Sequence, residues 1–351
     1  MNPTPPMRSR GAGLLHRFHT RFLIFAAVAI IVVGLSAGLA LARGKAASIG
    51  TGVVVIETKL AYENGAAAGT GMVLTSSGEI LTNNHVIDGA TNIKVVVPGT
   101  GHSYTARVVG YDVSADVAVL QASNASNLKT VSIGNSSTLK VGEAVTATGN
   151  AEGTGSLTTT SGEITGLARA ITVSDDQGGT ESLRGLIETN SQLEPGDSGG
   201  PLLNAAGRVV GMDTAASTGS GYGYRQLAST DSYAIPINTA VALATQIEAG
   251  KASSAVHIGA TAFLGVDVSS NGDGSSGALI GSAVANGAAS KAGLVAGDVI
   301  TSIDGRTVSS PTSLGAILQT EKAGARISIT YLDTSGATNT TTVTLASGPP
   351  Q

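Results

Sequence analysis

Between residues 52 and 216 the apolar positions come in short runs, many alternating with polar ones. They are GVVVIET, AGTGMVLTSSGEILTNNHV, NIKVVVPG, YTARVVGYD, DVAVLQA, EAVTATGN, LTTTSGEITGL, LRGLIETN and GRVVGMDTAA, separated by Gly, Asn and Ser. Runs this short at this spacing predict strands, and without βαβ alternation they predict an all-β sandwich or barrel array. The pattern changes at NTAVALATQIEAGK, which predicts a helix over 238–248 with Asn238 as N-cap and Gly250 as its stop. Residues 251–261 read as a linker. Beyond them FLGVDVS, ALIGSAV, DVITSIDG, RISITYL and TNTTTVTLA read as strands, with GAASKAGL and SPTSLGAILQTEKAG helical. That mixture predicts a small α+β module over 262–346, a normal domain size. Residues 347–351 read as a frayed tail.

Ahead of the strands the periodicity vanishes. Residues 22–42, FLIFAAVAIIVVGLSAGLALA, carry no charge, and about 20 such residues span a bilayer as a helix. Arginines precede the stretch, so the positive-inside rule leaves residues 1–21 as a basic cytoplasmic tail and exports the chain beyond the span. The exported part begins with a short linker over 43–50. The span reads as a membrane anchor. A cleavable signal peptide is the alternative, since Ala40-Leu41-Ala42 fits an A-x-A cleavage site. In either case the folded body, from residue 51 onward, lies outside the cytoplasm.

Charge sharpens this division. The first 45 residues hold Arg8, Arg10, Arg17, Arg21, Arg43 and Lys45 and no acid, while the rest carries 14 basic against 24 acidic residues. An acidic body argues against nucleic acid as a partner. There is no Trp and aromatics are 3%, so Val, Ile, Leu and Ala must fill the cores. With no Cys, a disulfide framework, a zinc–thiolate site and a cysteine nucleophile are all excluded.

The candidate chemistry centres on EPGDSGGPLLN (194–204), where Ser198 sits among glycines. A serine hydroxyl is a weak nucleophile and needs an oriented base. The exported body offers His85, His102 and His257. His102 follows a Gly-rich turn and His257 falls in the linker, where both read as solvated. His85, in LTNNHVI, directly follows a strand, whose end can project an imidazole into a cleft. Asp116, in YDVSADVAVLQ, stands just before an apolar strand and could accept the imidazole Nδ1 hydrogen bond, with Asp112 as the local competitor. Taken singly, each of these is an ordinary structural residue. GTGMVL (69–74) is followed by no helix pattern and no Walker lysine, so it is not a phosphate loop. Asp175-Asp176 and NGDG (271–274) lack metal-ligand spacing and read as solvated loops.

In combination, the order His85, Asp116, Ser198 in a β-rich chain is that of the chymotrypsin-like two-barrel peptidases. TNNHV, DVAVL and GDSGGPLLN resemble the HtrA/Deg family of exported serine proteases, and the C-terminal module resembles that family's PDZ domain. The resemblance covers roughly residues 50–346. It implies a mainly β fold: a chymotrypsin-like double β-barrel protease domain (51–250), a small α+β PDZ domain (262–346) and an N-terminal transmembrane helix. It implies Ser198 as nucleophile, His85 as base and Asp116 as its orienting acid, with Gly196, Asp197 and Ser198 forming the oxyanion hole. Asp197 departs from the Asn found in many HtrA relatives. The strand after the serine, with Met212, Asp213, Thr214 and Ala215, would wall a small apolar specificity pocket. Phe263, Leu264, Gly265 and Val266 resemble the PDZ loop and strand that capture a peptide's C-terminal carboxylate. No metal or cofactor is implied. Partners would be unfolded polypeptides and peptide C-termini, the membrane through the N-terminal helix, and further copies in a homotrimer. From a different class, a peptide-binding holdase with a silent barrel would explain everything except a complete set of triad residues.

Overall fold

In the computed structural model, residues 50–62, 65–174, 180–216, 231–272 and 275–350 are described. The expected anchor at 22–42, the acidic pair Asp175-Asp176 and Asp273 of the NGDG stretch lie outside these residues. Among the described residues, no helix is long and apolar enough to cross a membrane.

The first six strands are β1 (Val53–Leu60), β2 (Gly65–Val73), β3 (Glu79–Thr82), β4 (Asn92–Val96), β5 (Ser103–Asp112) and β6 (Val117–Ala122). They pair antiparallel in the order β5-β4-β1-β2-β3-β6, and β5 also pairs with β6, which closes a barrel. Closure leaves these strands without a free edge. Its interior is filled by aliphatic residues such as Val54, Ile56, Ile80, Ile87, Val95 and Leu120.

A second closed barrel follows, in the order β10-β11-β12-β9-β8-β7. Its strands are β7 (Ala144–Gly149), β8 (Thr158–Ser174), β9 (Thr180–Thr189), β10 (Pro201–Asn204), β11 (Val209–Ala216) and β12 (Ser232–Pro236). Val145, Ile164, Ile187, Leu202 and Ala234 pack its interior. A third cluster joins the barrels: Met72, Leu81, Val117 and Val119 from the first meet Leu186, Val209, Met212 and Ile235 from the second. Helix α1 (Ile237–Glu248) closes that cluster with Ile237, Ala240, Ala244 and Ile247, which share one face at helical spacing.

Two local expectations needed correction here. β12 runs directly into α1, so the N-cap is Pro236, and Asn238 lies inside the first turn. Its side chain instead holds the 135–136 turn, accepting from the Ser136 N–H and donating to Asn135 Oδ1 at 2.8 Å. Residues 251–261 are not simply a tether. They contain β13 (Val256–Ile258), which pairs antiparallel with β5. His257 stacks on Tyr111 with ring centroids 5.0 Å apart, so it is packed and not solvated.

The C-terminal module has its own core, built from Ala278, Ile280, Ile300, Ile303, Leu314, Ile327, Ile329 and Val343. Its main sheet runs β15 (Val266–Ser269), β16 (Ala278–Ala283), β17 (Val299–Ile303), β19 (Arg326–Leu332), β20 (Thr338–Thr344), with β18 (Arg306–Thr307) on β17. β14 (Thr261–Phe263) and β21 (Ala346–Gly348) form a separate pair. Helix α2 is Ala288–Lys291 and α3 is Pro311–Gln319. A capping box of Ser310 and Ser313 with Pro at the first helical positions starts α3. α3 stops at Thr320, short of the predicted 324, because the chain then turns to bridge Lys322 to Thr261. Residues 347–350 are not frayed: β21 takes Ser347 and Gly348 into a strand, and the Gly89 N–H donates to the Pro350 carbonyl at 3.0 Å.

Candidate active site

The site forms where the two barrels meet. His85 leaves the end of β3, and Asp116 occupies the turn between β5 and β6. Asp116 has φ 52°, the left-handed region that Asp and Asn tolerate better than most side chains. Two bonds fix that turn. Asp116 N–H donates to the Val113 carbonyl at 3.0 Å, and Asn83 Nδ2 donates to the Asp116 carbonyl at 2.9 Å. The Asp116 side chain is fully buried. Its carboxylate accepts the His85 backbone N–H at 3.0 Å, and His85 Nδ1 lies 3.0 Å from Oδ1 and 2.9 Å from Oδ2. A carboxylate only accepts, so Nδ1 carries the hydrogen and Nε2 the lone pair. Asp112 is engaged elsewhere: its Oδ1 accepts from Ser114 Oγ at 2.7 Å and from the Ala115 N–H at 3.1 Å.

Ser198 sits in the turn between β9 and β10. Gly196 has φ 101° and Gly199 φ 85°. A Cβ on Gly196 would overlap the Asn150 carbonyl oxygen, and one on Gly199 would overlap the Thr70 carbonyl oxygen. These glycines are therefore required twice over, by backbone angle and by close approach. Thr70 of β2 ties the turn to the first barrel. Its N–H donates to the Ser198 carbonyl at 2.9 Å and its hydroxyl to the Gly196 carbonyl at 2.7 Å. β11 ties it to the second: Gly199 N–H donates to the Asp213 carbonyl at 2.8 Å, and Asp213 N–H to the Gly200 carbonyl at 2.9 Å. Within the turn, Asp197 N–H is used on the Glu194 carbonyl at 3.0 Å. The Gly196 and Ser198 N–H groups donate to no acceptor among the described residues.

Thr214 links the acid to the serine. Its hydroxyl donates to Asp116 Oδ2, and its carbonyl accepts from Ser198 Oγ at 3.3 Å. Sequence reasoning assigned Thr214 to a pocket wall and missed this role, because which atoms of a strand face an acid 98 residues away depends on the docking of the barrels. Thr70 and Asn83 were missed for the same reason. Of the other expected wall residues, Met212 packs in the core between the barrels and Asp213 is fully buried. The side chain of Ala215 lies outside the described residues.

Two carboxyls here are shifted. Burial pushes Asp197 up to about 6; the Glu194 N–H opposes this and the Glu194 charge adds to it. Burial raises Asp213 well above the usual carboxylate range, and the charge of Asp197 raises it further.

In the C-terminal module Phe263 belongs to β14, Leu264 is in the core, Gly265 has φ 76° and Val266 opens β15. β15 stands at the end of its sheet, with one edge unpaired among the described residues.

Residues 69–212 match the trypsin-like peptidase domain model and residues 279–332 the PDZ domain model. The chain is 35% identical over 311 residues to the serine protease PepD of Mycobacterium tuberculosis, covering 86% of this chain and 65% of that protein. It is 34% identical over 276 residues to the periplasmic serine endoprotease DegP of Salmonella typhimurium, covering 76% and 54%. It thus spans between about half and two thirds of the length of these relatives. A solved structure of the HtrA-type protease AlgW with a tripeptide is 29% identical, with a TM-score of 0.49 over 86% of this chain and 95% of that one. With a trypsin-like peptidase domain followed by a PDZ domain, and with PepD and DegP among its homologues, the chain belongs to the HtrA/Deg family of serine proteases.

Proposed function

We propose that the chain is an ATP-independent serine endopeptidase that cleaves unfolded exported proteins. One observation carries this: the buried Asp116 carboxylate holds the His85 imidazole at Nδ1 and is linked through Thr214 to Ser198. In the reaction, Ser198 Oγ attacks the scissile carbonyl while His85 Nε2 takes its proton. The Gly196 and Ser198 N–H groups stabilise the oxyanion, a donor of this kind contributing about 3 kcal/mol. His85 then protonates the leaving amine, and water hydrolyses the acyl-enzyme by the same path. Asp197 contributes the geometry of the turn; its own N–H is already bonded. The part of β11 beside Ser198, at Thr214 and Ala215, walls the primary specificity pocket, whereas Asp213 is buried away from it.

The PDZ domain binds peptide C-termini. The Leu264, Gly265 and Val266 N–H groups receive the carboxylate, and the peptide adds to the free edge of β15. The catalytic part lies outside the cytoplasm, held by residues 22–42 or released by cleavage after them, and assembles as a trimer. A second reading, a holdase with a silent barrel, draws support from the Ser198 hydroxyl being bonded to the Thr214 carbonyl.

The test is digestion of unfolded casein by the full chain, with Ser198→Ala as control, with and without an added peptide ending in a free carboxylate. Serine-dependent cleavage in either condition supports the peptidase. Binding of casein with no serine-dependent cleavage in both supports the holdase.

A further inference from the structure

Asp197 and Asp213 lie directly behind the nucleophile, and the catalytic steps above use neither carboxyl. Asp213 is 0% exposed and Asp197 4%. Of their four side-chain oxygens only one has a partner: Asp197 Oδ2 accepts the Glu194 N–H at 2.9 Å. Asp197 Oδ1 and both oxygens of Asp213 are buried with no hydrogen-bond partner. The ion pairs among the described residues are His85–Asp116, Lys94–Glu57, Arg169–Glu188 and Arg306–Glu321, so none compensates either acid.

The direction of the Asp213 side chain follows from the strand. Residues 211 and 213 share a face of β11, and a Cβ on Gly211 would meet Ala234 and Ile187, both in the interior of the second barrel. Asp213 therefore points into that interior. An unpaired carboxylate in an apolar barrel interior is strongly disfavoured, and Asp213 takes up a proton instead.

Other ionisable groups around the pair do not relieve it. Glu194 on the same turn is negative and adjacent, and Glu188 on β9 is paired with Arg169. Glu152 lies beyond the Pro195 carbonyl, which accepts its N–H. Asp116 and His85 are reached only through Thr214 and are bonded to each other.

We propose that Asp213 and Asp197 are positioning residues of the protease, with Asp213 held as a neutral carboxylic acid whose proton keeps the nucleophile turn seated on β11. The inference rests on the peptidase reading for its kinetic arm only. Asp213 is joined to that turn by two backbone hydrogen bonds, and the next residue holds both Ser198 and Asp116. Ionising Asp213 beside Asp197 places two like charges across this junction. The repulsion separates β11 from residues 196–200 and misaims the Gly196 and Ser198 N–H groups. Activity therefore has a falling limb, reached as rising pH removes the Asp213 proton.

Two measurements on the full chain test this. The first is kcat/KM against pH for wild type, Asp213→Asn and Asp197→Asn, using a peptide taken from the casein products. Asp213→Asn, neutral at every pH, keeps activity within about threefold at pH 7 and loses the falling limb. Asp197→Asn removes the charge that raises Asp213, so its falling limb moves to lower pH. The second is infrared spectroscopy of Ser198→Ala at neutral pH, which needs no turnover. A protonated-carboxyl stretch is expected, and the part of it that belongs to Asp213 is lost when Asp213→Asn is added, leaving that of Glu79. Superimposable pH profiles, a folded Asp213→Asn protein inactive at every pH, or no carboxylic-acid band removed by Asp213→Asn would each overturn the proposal.

Discussion

Asp116 combines two requirements that rarely coincide, a left-handed backbone and a buried charge. Its φ of 52° is tolerable for Asp and Asn, so Asp116→Asn keeps the turn while replacing an acceptor oxygen by a donor amide. His85 Nδ1 then faces a group that no longer fixes its tautomer. We expect kcat to fall by about 10⁴-fold with the unfolding midpoint little changed, as read by steady-state kinetics and urea titration. Gly199 behaves oppositely. Ala at 199 would place its Cβ on the Thr70 carbonyl at a backbone angle that disfavours any side chain. Gly199→Ala should destabilise the protein by about 2 kcal/mol or more and lose activity in the same proportion, seen as a lowered unfolding midpoint.

At the scale of elements, β13 and α1 clasp the first barrel from outside. His257 of β13 lies on the Tyr111 ring, and the Tyr111 hydroxyl and Thr261 Oγ1 are 3.0 Å apart, joining strand, linker and C-terminal module. The end of α1 adds a titrating contact. Glu248 bonds the Glu79 side chain on β3, and burial together with that neighbour pushes Glu79 up to about 7. Two carboxyls can bond only while a proton lies between them. Below pH 4.5 Glu79 is protonated folded or unfolded, and the contact contributes fully. As pH rises from 4.5 to about 7 the unfolded chain releases a proton that the folded chain retains, so stability falls across this window. Glu79→Gln should flatten that decline. Urea midpoints of the two proteins between about pH 4 and 8 should converge or cross through the window, and parallel curves would exclude the contact as their source.

In the whole molecule the C-terminal module is held against the first barrel close to His85. Phe263, within the segment proposed to receive peptide carboxylates, stacks on Tyr62 beyond β1 at 5.1 Å. On the other side the Pro350 carbonyl holds the Gly89 N–H, four residues after His85. A stacked aromatic pair contributes about 0.5–1.5 kcal/mol beyond its buried area, which is up to about tenfold in an opening equilibrium. Tyr62→Ala should accelerate hydrogen exchange at the Gly89 amide by up to that factor and leave exchange inside the second barrel unchanged. Equal rates in the two proteins would show that the stack does not hold the module in place.

The sequence alone determined the kind of fold and the residues with chemistry to offer. Short alternating runs specify strands because side-chain period follows directly from backbone geometry. That His85 and Asp116 sit at strand ends and Ser198 in a glycine-rich turn was legible because apolar runs mark the strands and glycines the turn. The second module and the helix near 238–248 were legible through their periodicity, although Asn238 was not the cap, since the strand before it enters the helix without a break. Tertiary structure alone decided what depends on the docking of the barrels. It turned Thr214 from a wall residue into the link between Asp116 and Ser198, made Thr70 the clamp on the Ser198 turn, and drew 256–258 and 347–350 out of linker and tail. It also buried Asp197 and Asp213 together without a cation. Such contacts join residues tens to more than a hundred positions apart, and no local pattern encodes them, because each half is satisfied only by a partner that closure of the fold supplies.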